Sequence, residues 1–137
     1  MYADGKLWIA KGESKVYLHP QYANRHGLIA GASGTGKTVT LKVMAESFSE
    51  MGVPVFMADI KGDVSGLCRA GKDSENMRER IEKLGVDGFG YTGFPCDFWD
   101  IYGEKGHPVR TTVEEMGVDL LTRLMELSDV QEDVLRV

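Results

Sequence analysis

One octapeptide has the residue types and the spacing of a phosphate-binding loop. Residues 31–38, Gly-Ala-Ser-Gly-Thr-Gly-Lys-Thr, match the pattern G-x-x-x-x-G-K-[ST] at every fixed position. Glycines let the backbone wrap closely around a phosphate, and the amide groups of the following helix N-terminus point at its oxygens. In this pattern Lys37 is the catalytic residue that neutralises the β- and γ-phosphates, and the Thr38 hydroxyl ligates Mg²⁺. The octapeptide therefore predicts binding of ATP and Mg²⁺.

The predicted nucleotide-binding residues form one continuous stretch. The alternative interpretation is a glycine-rich turn followed by an ordinary exposed lysine. A chance match is expected in about 1 random chain in 100 of this length. The octapeptide lies between a short apolar run and an amphipathic stretch, and this position makes the alternative of a simple turn weaker still. The predicted residues are Gly31, Ala32, Ser33, Gly34, Thr35, Gly36, Lys37, Thr38 and Val39.

A second group of polar residues follows a later apolar run. Asp59, Lys61 and Asp63 come directly after residues 53–58. At the carboxyl edge of a parallel sheet, such residues surround the ligand crevice, so we predict that they lie around the nucleotide. A solvated polar loop is the alternative, and the two interpretations have equal weight. Asp59 ends the run immediately after the predicted helix, and no later apolar run ends in Asp-Glu, so we expect the hydrolytic machinery to be incomplete.

The elements that must position these residues are a strand, a helix and a second strand. Residues 27–30 and 53–58 are short apolar runs without alternation, which favours strands buried on both faces of a parallel sheet. Between them, apolar residues recur at helical spacing from Leu41 to Met51, and Gly52 supplies a left-handed stop. This order predicts a βαβ unit and an α/β fold of the P-loop NTPase class.

Two shorter regions complete the predicted organisation. Residues 6–10 and 15–18 are β-type runs that predict a hairpin, which we assign to an N-terminal cap over residues 1–20. Residues 21–137 are assigned to the P-loop NTPase domain, which we expect to be truncated and incomplete at its C-terminus.

Capping signals predict the elements of the later half of the chain. A helix should begin after Asp73 or Ser74 and end at Gly85. Two sets of residues have the spacing of a capping box, and Gly117 should interrupt the helix that follows the first. Residues 96–101 alternate well enough for a strand. The capping-box pairs are Thr112 with Glu115 and Ser128 with Gln131.

Composition limits the class of protein. The 137 residues are 42% hydrophobic, which suits one globular domain with a core. Residues 1–72 carry 9 basic and 6 acidic groups, whereas residues 73–137 carry 7 basic and 15 acidic groups. The excess of positive charge in the first half therefore favours a phosphate ligand there. The net charge of −5 argues against a chain that coats nucleic acid non-specifically. Two cysteines, widely spaced histidines and no apolar run of membrane-spanning length predict a cytoplasmic protein without structural zinc, disulfides or a membrane partner.

Four segments together resemble one protein family. Residues 24–38 and 52–67 closely resemble bacterial HerA-like ATPases of the HerA–FtsK superfamily, and residues 98–110 and 127–132 resemble a subgroup of the same family. The resemblance runs from about Lys15 to the end of the chain, and it marks the chain as the N-terminal, P-loop portion of such a protein.

The resemblance implies a RecA-like parallel sheet flanked by helices, in a subunit of a hexameric ring. It implies a helicase-like hydrolase that couples ATP hydrolysis to the movement of duplex DNA, with other copies of the chain, DNA or a nuclease as partners. Gly31–Thr38 would be the nucleotide loop, whereas the metal carboxylate pair and the arginine finger of the family match nothing in this chain.

Two other functions remain open at this point. A small-molecule or nucleotide kinase shares the glycine-rich loop, but no arginine-rich lid segment is visible. A non-hydrolysing binding module, in which ATP only orders a surface for a partner, agrees with the missing machinery. Phosphate transfer to an acceptor other than water would favour the kinase.

Overall fold

The structure of the chain, a computed structural model, describes the backbone of residues 1–137 and every side chain except that of Ala3. It divides into two units, Met1–Cys96 and Asp97–Val137, which are described one after the other. The division of the sequence at residue 20 remains a prediction.

The first unit begins with a three-stranded antiparallel sheet. Its strands are β1 (Tyr2–Ala3), β2 (Lys6–Lys11) and β3 (Lys15–Leu18), in that spatial order. Between β1 and β2, Asp4 and Gly5 have φ values of 51° and 71°, as the two central residues of a tight type I′ hairpin require. The predicted hairpin is therefore confirmed as β2 and β3, whereas β1 was not predicted.

Helix α1 (Lys37–Glu50) packs against β2 and forms the core of this unit. Leu7 is fully buried, and Ala45 and Ser47 are the buried residues of the helix. The helix ends at a left-handed Gly52, where the Val53 amide donates to the Phe48 carbonyl oxygen at 2.9 Å. The predicted helix and its stop are confirmed.

Helix α2 (Glu75–Leu84) is fixed by its two caps. The Ser74 hydroxyl accepts a hydrogen bond from the Met77 amide at 3.3 Å, and Gly85 ends the helix with a φ of 64°. The Lys11 ammonium group donates to the Leu84 carbonyl oxygen at 2.9 Å, which ties β2 to this helix end. Both predicted boundaries of α2 are confirmed.

The predicted parallel sheet is wrong. Residues 27–30 and 53–58 are assigned to no strand, and the sheet of this unit is the antiparallel one formed by β1, β2 and β3. Leu28 is 90% exposed and Phe56 is 91% exposed, although both were expected inside a sheet. An apolar run favours an extended backbone, but a strand also needs hydrogen bonds from a neighbouring strand. The RecA-like P-loop NTPase fold, a parallel sheet flanked by helices, is therefore not the fold of this chain.

The second unit contains a short parallel pair and two helices. The pair joins β4 (Trp99–Asp100) to β5 (His107–Pro108), so only two residues of the strand predicted over residues 96–101 form a strand. The helices are α3 (Val113–Leu124) and α4 (Asp129–Leu135), and the Arg136 guanidinium bridges them through Asp119 and Glu132.

Both predicted helix starts of this unit are present. The Thr112 hydroxyl accepts from the Glu115 amide at 3.1 Å while the Thr112 amide donates to the Glu115 carboxylate at 3.0 Å. Before α4, the Ser128 amide donates to the Gln131 side chain at 2.9 Å. Gly117 interrupts α3 with a φ of 68°, as predicted.

In the described part of the chain, no helix combines the length and the apolar character needed to span a membrane.

Candidate functional site

The glycine loop, residues 31–36, leads directly into the N-terminus of α1. Residues 32–35 form a turn in which the Thr35 amide and hydroxyl donate to the Ala32 carbonyl oxygen at 3.4 and 2.8 Å. Gly34 and Gly36 have φ values of 79° and 94°, a backbone region that side chains disfavour. Both positions therefore require glycine for this shape.

Gly31 lies close to the Thr35 side chain. A Cβ atom at this position would lie 2.6 Å from the Thr35 hydroxyl oxygen, well inside van der Waals contact. A side chain at position 31 would therefore require the Thr35 hydroxyl to move away from the Ala32 carbonyl oxygen.

Most amide groups at the end of the loop and in the first turn of α1 have no hydrogen-bond partner among the described residues. Gly36 is the N-cap of α1 and has no side chain to accept hydrogen bonds from the first turn. Among the described residues, the amides of Gly34, Gly36, Lys37, Thr38 and Val39 donate no hydrogen bond. Unpaired N–H groups and the positive end of the helix dipole together favour an anion at this place.

The Lys37 side chain folds back over the glycine loop. Its ammonium group donates to the carbonyl oxygens of Gly31 and Ala32 at 2.8 and 2.7 Å. The Thr38 hydroxyl, half-exposed on the first turn, makes no hydrogen bond within the described residues. The structure thus gathers the predicted residues from Gly31 to Val39 into the glycine loop and the first turn of α1, where Lys37 supplies a cation and Thr38 a hydroxyl. Their binding of a nucleotide stays a prediction.

The aspartate loop, residues 59–64, has the opposite arrangement of its amides. The Asp59 carboxylate accepts hydrogen bonds from the amides of Gly62, Asp63 and Val64 at 2.9, 3.2 and 2.9 Å. The bond from Val64, supported by the other two, lowers the pKa of the Asp59 carboxyl below its ordinary value of 3.8. Three amides of this loop therefore already bind a carboxylate of the same loop.

The side chains of Lys61 and Asp63 are exposed. In the part of the chain that the structure describes, no hydrogen bond or ion pair joins them or Asp59 to the glycine loop. Their predicted place around a nucleotide is thus not formed by direct contacts in this chain, and it stays a prediction.

A second aspartate loop, residues 100–105, was not predicted. The Asp100 carboxylate accepts from the amides of Tyr102, Glu104 and Lys105 at 3.1, 2.8 and 2.9 Å. The bond from Lys105, together with those from Tyr102 and Glu104, lowers the pKa of this carboxyl. Both loops begin Asp-Ile-x-Gly with a left-handed glycine at the fourth position, and this short repeat is the signal that could have found the second loop.

Metal binding by side chains alone has no support in the described residues. Within them, no group of three or more His, Cys, Asp or Glu side chains is placed to hold a metal ion. A divalent cation at the glycine loop would therefore need ligands from a bound phosphate as well as from Thr38.

Comparison with known protein families shows to which family the chain belongs. The model of the helicase HerA-like C-terminal family matches residues 6–137. The chain belongs to the HerA-like helicase family. No curated protein and no solved structure matches it.

The match confirms the HerA-like resemblance of the sequence, and it covers the glycine loop and both aspartate loops. HerA-like proteins are typically ATPases of the helicase type and are generally oligomeric. The family model describes a C-terminal region, so it does not restore the P-loop NTPase fold that the structure contradicts.

Proposed function

We propose that this HerA-like chain binds ATP with Mg²⁺ through the glycine loop. The observation that carries the proposal is the group of amides without hydrogen-bond partners at Gly34 and from Gly36 to Val39, with the Lys37 ammonium group bound to carbonyl oxygens of the same loop. Phosphate oxygens satisfy such donors, and the sequence between Gly31 and Thr38 has the spacing that this chemistry needs.

Each residue has a distinct part in this binding. The amides of the loop and of the first turn of α1 hold the β-phosphate, and Lys37 exchanges its two carbonyl partners for the β- and γ-phosphate oxygens. The Thr38 hydroxyl is a ligand for Mg²⁺, which neutralises charge on the phosphates when bound.

Hydrolysis by this chain would need groups from outside the glycine loop. We propose that a neighbouring copy in a ring supplies them, since a charge contributed in trans commonly stabilises the transferred phosphoryl group. The ATPase and helicase character typical of the family supports a ring of copies that couples hydrolysis to DNA movement, with DNA or a nuclease as partner.

A second candidate function is a module that binds ATP without hydrolysing it. The favouring observation is that the Asp59 carboxylate, which follows the apolar run after α1, already accepts hydrogen bonds from three amides of its own loop. Turnover measured against protein concentration separates the two candidates. A shared site predicts a steep rise in activity, whereas the module predicts none at any concentration.

Calorimetric titration with ATP and Mg²⁺ tests the proposal. We expect Lys37→Ala to weaken binding by roughly 10- to 100-fold, because it removes charge-assisted hydrogen bonds to the phosphates. Lys42→Ala is the matched control, because Lys42 lies on the same helix outside the loop, and it should bind like the wild type. Equal binding by Lys37→Ala and wild type, or no binding by a folded wild type, would overturn the proposal.

A further inference from the structure

The two edges of the antiparallel sheet differ in whether other groups occupy them. At one edge, β1 has only two residues, and the Met1 ammonium group and the Tyr2 amide donate to the Glu50 carboxylate of α1 at 3.3 and 3.1 Å. At the other edge, β3 is four residues long and pairs with β2 alone among the described residues. An edge strand directs alternate amide and carbonyl groups away from its neighbour, so β3 presents main-chain groups to which another strand can bind.

The side chains of β3 lie on two faces of different chemistry. Leu18 lies opposite the buried Leu7, on the face of the sheet that α1 covers. Val16 lies on the same face and is 46% exposed. Lys15 and Tyr17 lie on the opposite face, which no helix covers within the described residues. The free edge therefore joins an apolar face to a polar one.

Two ammonium groups lie over aromatic rings on the polar face. The Lys15 ammonium group lies 4.2 Å from the centre of the Trp8 ring, and the Lys6 ammonium group lies 5.8 Å from that of Tyr17. Contact with the rings orients both cations. In the described part of the chain neither lysine forms an ion pair. The Asp4 carboxylate lines the same cavity and offsets one of the two charges, so a net positive charge remains on this face.

A strand added to β3 would extend both faces. Neighbouring side chains of a strand point to opposite faces, so every second side chain of the partner would lie beside Lys15 and Tyr17, and the others would lie beside Val16. Acidic side chains complement the lysines, and apolar side chains complement Val16. A second copy of β3 fits less well, because it would bring its own Lys15 to this edge and like charges disfavour such pairing.

We propose that the outer edge of β3 binds an extended segment of another protein, in which acidic and apolar side chains alternate, as a fourth strand of this sheet. Main-chain hydrogen bonds to β3 supply the part of the affinity that does not depend on sequence. Lys6 and Lys15 select the acidic side chains, and Val16 selects the apolar ones. This edge shares no residue with the glycine loop.

A capped peptide that alternates valine with glutamate tests strand addition by NMR. Its binding should slow hydrogen exchange of amides within residues 15–18 by roughly tenfold, because new hydrogen bonds protect them. All valine nitrogens of an extended peptide point to one edge, and all glutamate nitrogens point to the other. Methylation of one set should therefore abolish binding, whereas methylation of the other set should leave it.

Charge reversal tests the selection of acidic side chains. Lys15→Glu should weaken binding of the valine–glutamate peptide by roughly tenfold, because an attractive cross-strand pair becomes repulsive. A peptide with lysine in place of glutamate should bind this variant more tightly than it binds the wild type. Lys72→Glu is the control, because it changes the net charge equally at an exposed site outside the cavity, and it should bind like the wild type.

Three results would overturn this inference. They are unchanged exchange of residues 15–18 in the folded protein with the peptide at millimolar concentration, equal losses in Lys15→Glu and Lys72→Glu, and binding of both methylated peptides. Self-association through β3, or tighter binding of an oligonucleotide than of the peptide at this edge, would also overturn it. Lys37→Ala should bind the peptide normally and Lys15→Glu should bind ATP normally, so failure of this inference is distinguishable from failure of the proposed nucleotide site.

Discussion

The glycine loop and the aspartate loop differ in whether their amide groups have hydrogen-bond acceptors. Each follows a short apolar run that forms no strand, and each turns at left-handed glycines, with φ values of 79° at Gly34 and 77° at Gly62. In the aspartate loop three amides converge on the Asp59 carboxylate. In the glycine loop the amides of Gly34 and Gly36 have no acceptor within the described residues, and the Lys37 ammonium group binds carbonyl oxygens of the same loop.

The difference teaches how a turn becomes a binding site. A loop whose amides point inward to one place favours an anion there. The aspartate loop supplies that anion from its own chain, so its donors are used. The glycine loop has glycine where a capping side chain would stand, so an external phosphate has donors to bind. We therefore expect nucleotide to bind at one loop and not at the other.

Paired alanine substitutions give the largest expected contrast. Gly36→Ala and Gly62→Ala each force a side chain into a left-handed backbone, at a cost of about 1–2 kcal/mol in the free energy of unfolding. Only Gly36→Ala should also weaken ATP binding, by about tenfold or more, because it moves the amides that hold phosphate. Denaturant unfolding and calorimetry measure the two effects. An equal loss of ATP binding in both variants would break the comparison.

The dependence of ATP binding on Mg²⁺ gives a second, smaller difference between the two loops. Thr38→Ala removes the hydroxyl that we propose as the Mg²⁺ ligand, so we expect roughly tenfold weaker ATP binding in the presence of Mg²⁺ and no change in the presence of a chelator. Thr38→Ser keeps the hydroxyl and should restore the wild-type affinity in calorimetric titrations. A loss that is the same with and without Mg²⁺ would contradict the assigned role.

Removing the internal anion should loosen the aspartate loop and leave ATP binding intact. Asp59→Asn weakens the three hydrogen bonds to its amides, so hydrogen exchange at Gly62, Asp63 and Val64 should accelerate by roughly tenfold. Asp63→Asn is the control, since that carboxylate accepts no hydrogen bond from another residue within the described chain. Unchanged exchange in Asp59→Asn would show that the carboxylate does not hold the loop.

The smallest expected effect is the pH at which the carboxyl groups of the two aspartate loops titrate. The pKa values of Asp59 and Asp100 are lowered from 3.8 by backbone hydrogen bonds. A folded-state pKa below the unfolded value means that the charged carboxylate stabilises its loop above pH 3.8, and that this stabilisation is lost as the pH falls through the lower folded value. Carboxyl carbon NMR should show both groups titrating below the same residues in short loop peptides. Titration at the peptide value would contradict the hydrogen bonds.

Local signals in the sequence were sufficient for the helices and their ends. Ser74, Gly85 and the Thr112–Glu115 capping box act within one turn, so their effect is determined by neighbours in the chain. The glycine loop was likewise predictable, because the spacing from Gly31 to Thr38 fixes both its glycines and its lysine.

Features that depend on distant partners were not predictable in this way. The apolar runs at residues 27–30 and 53–58 were interpreted as paired strands, but pairing is decided by hydrogen bonds between segments far apart in sequence. For the same reason, the sequence did not show that Asp59 satisfies its own loop, nor that Lys15 lies on Trp8 across two strands.

The central claim is that phosphate binds to the open amides of the glycine loop and not to the closed amides of the aspartate loop. Two-dimensional ¹H–¹⁵N NMR during titration with ATP and Mg²⁺ tests it directly. We predict large shifts for the amides of residues 34–39 and none for Gly62, Asp63 and Val64. A folded protein whose amides at residues 34–39 stay unshifted at saturating ATP, or whose shifts fall in the aspartate loop instead, would contradict the claim.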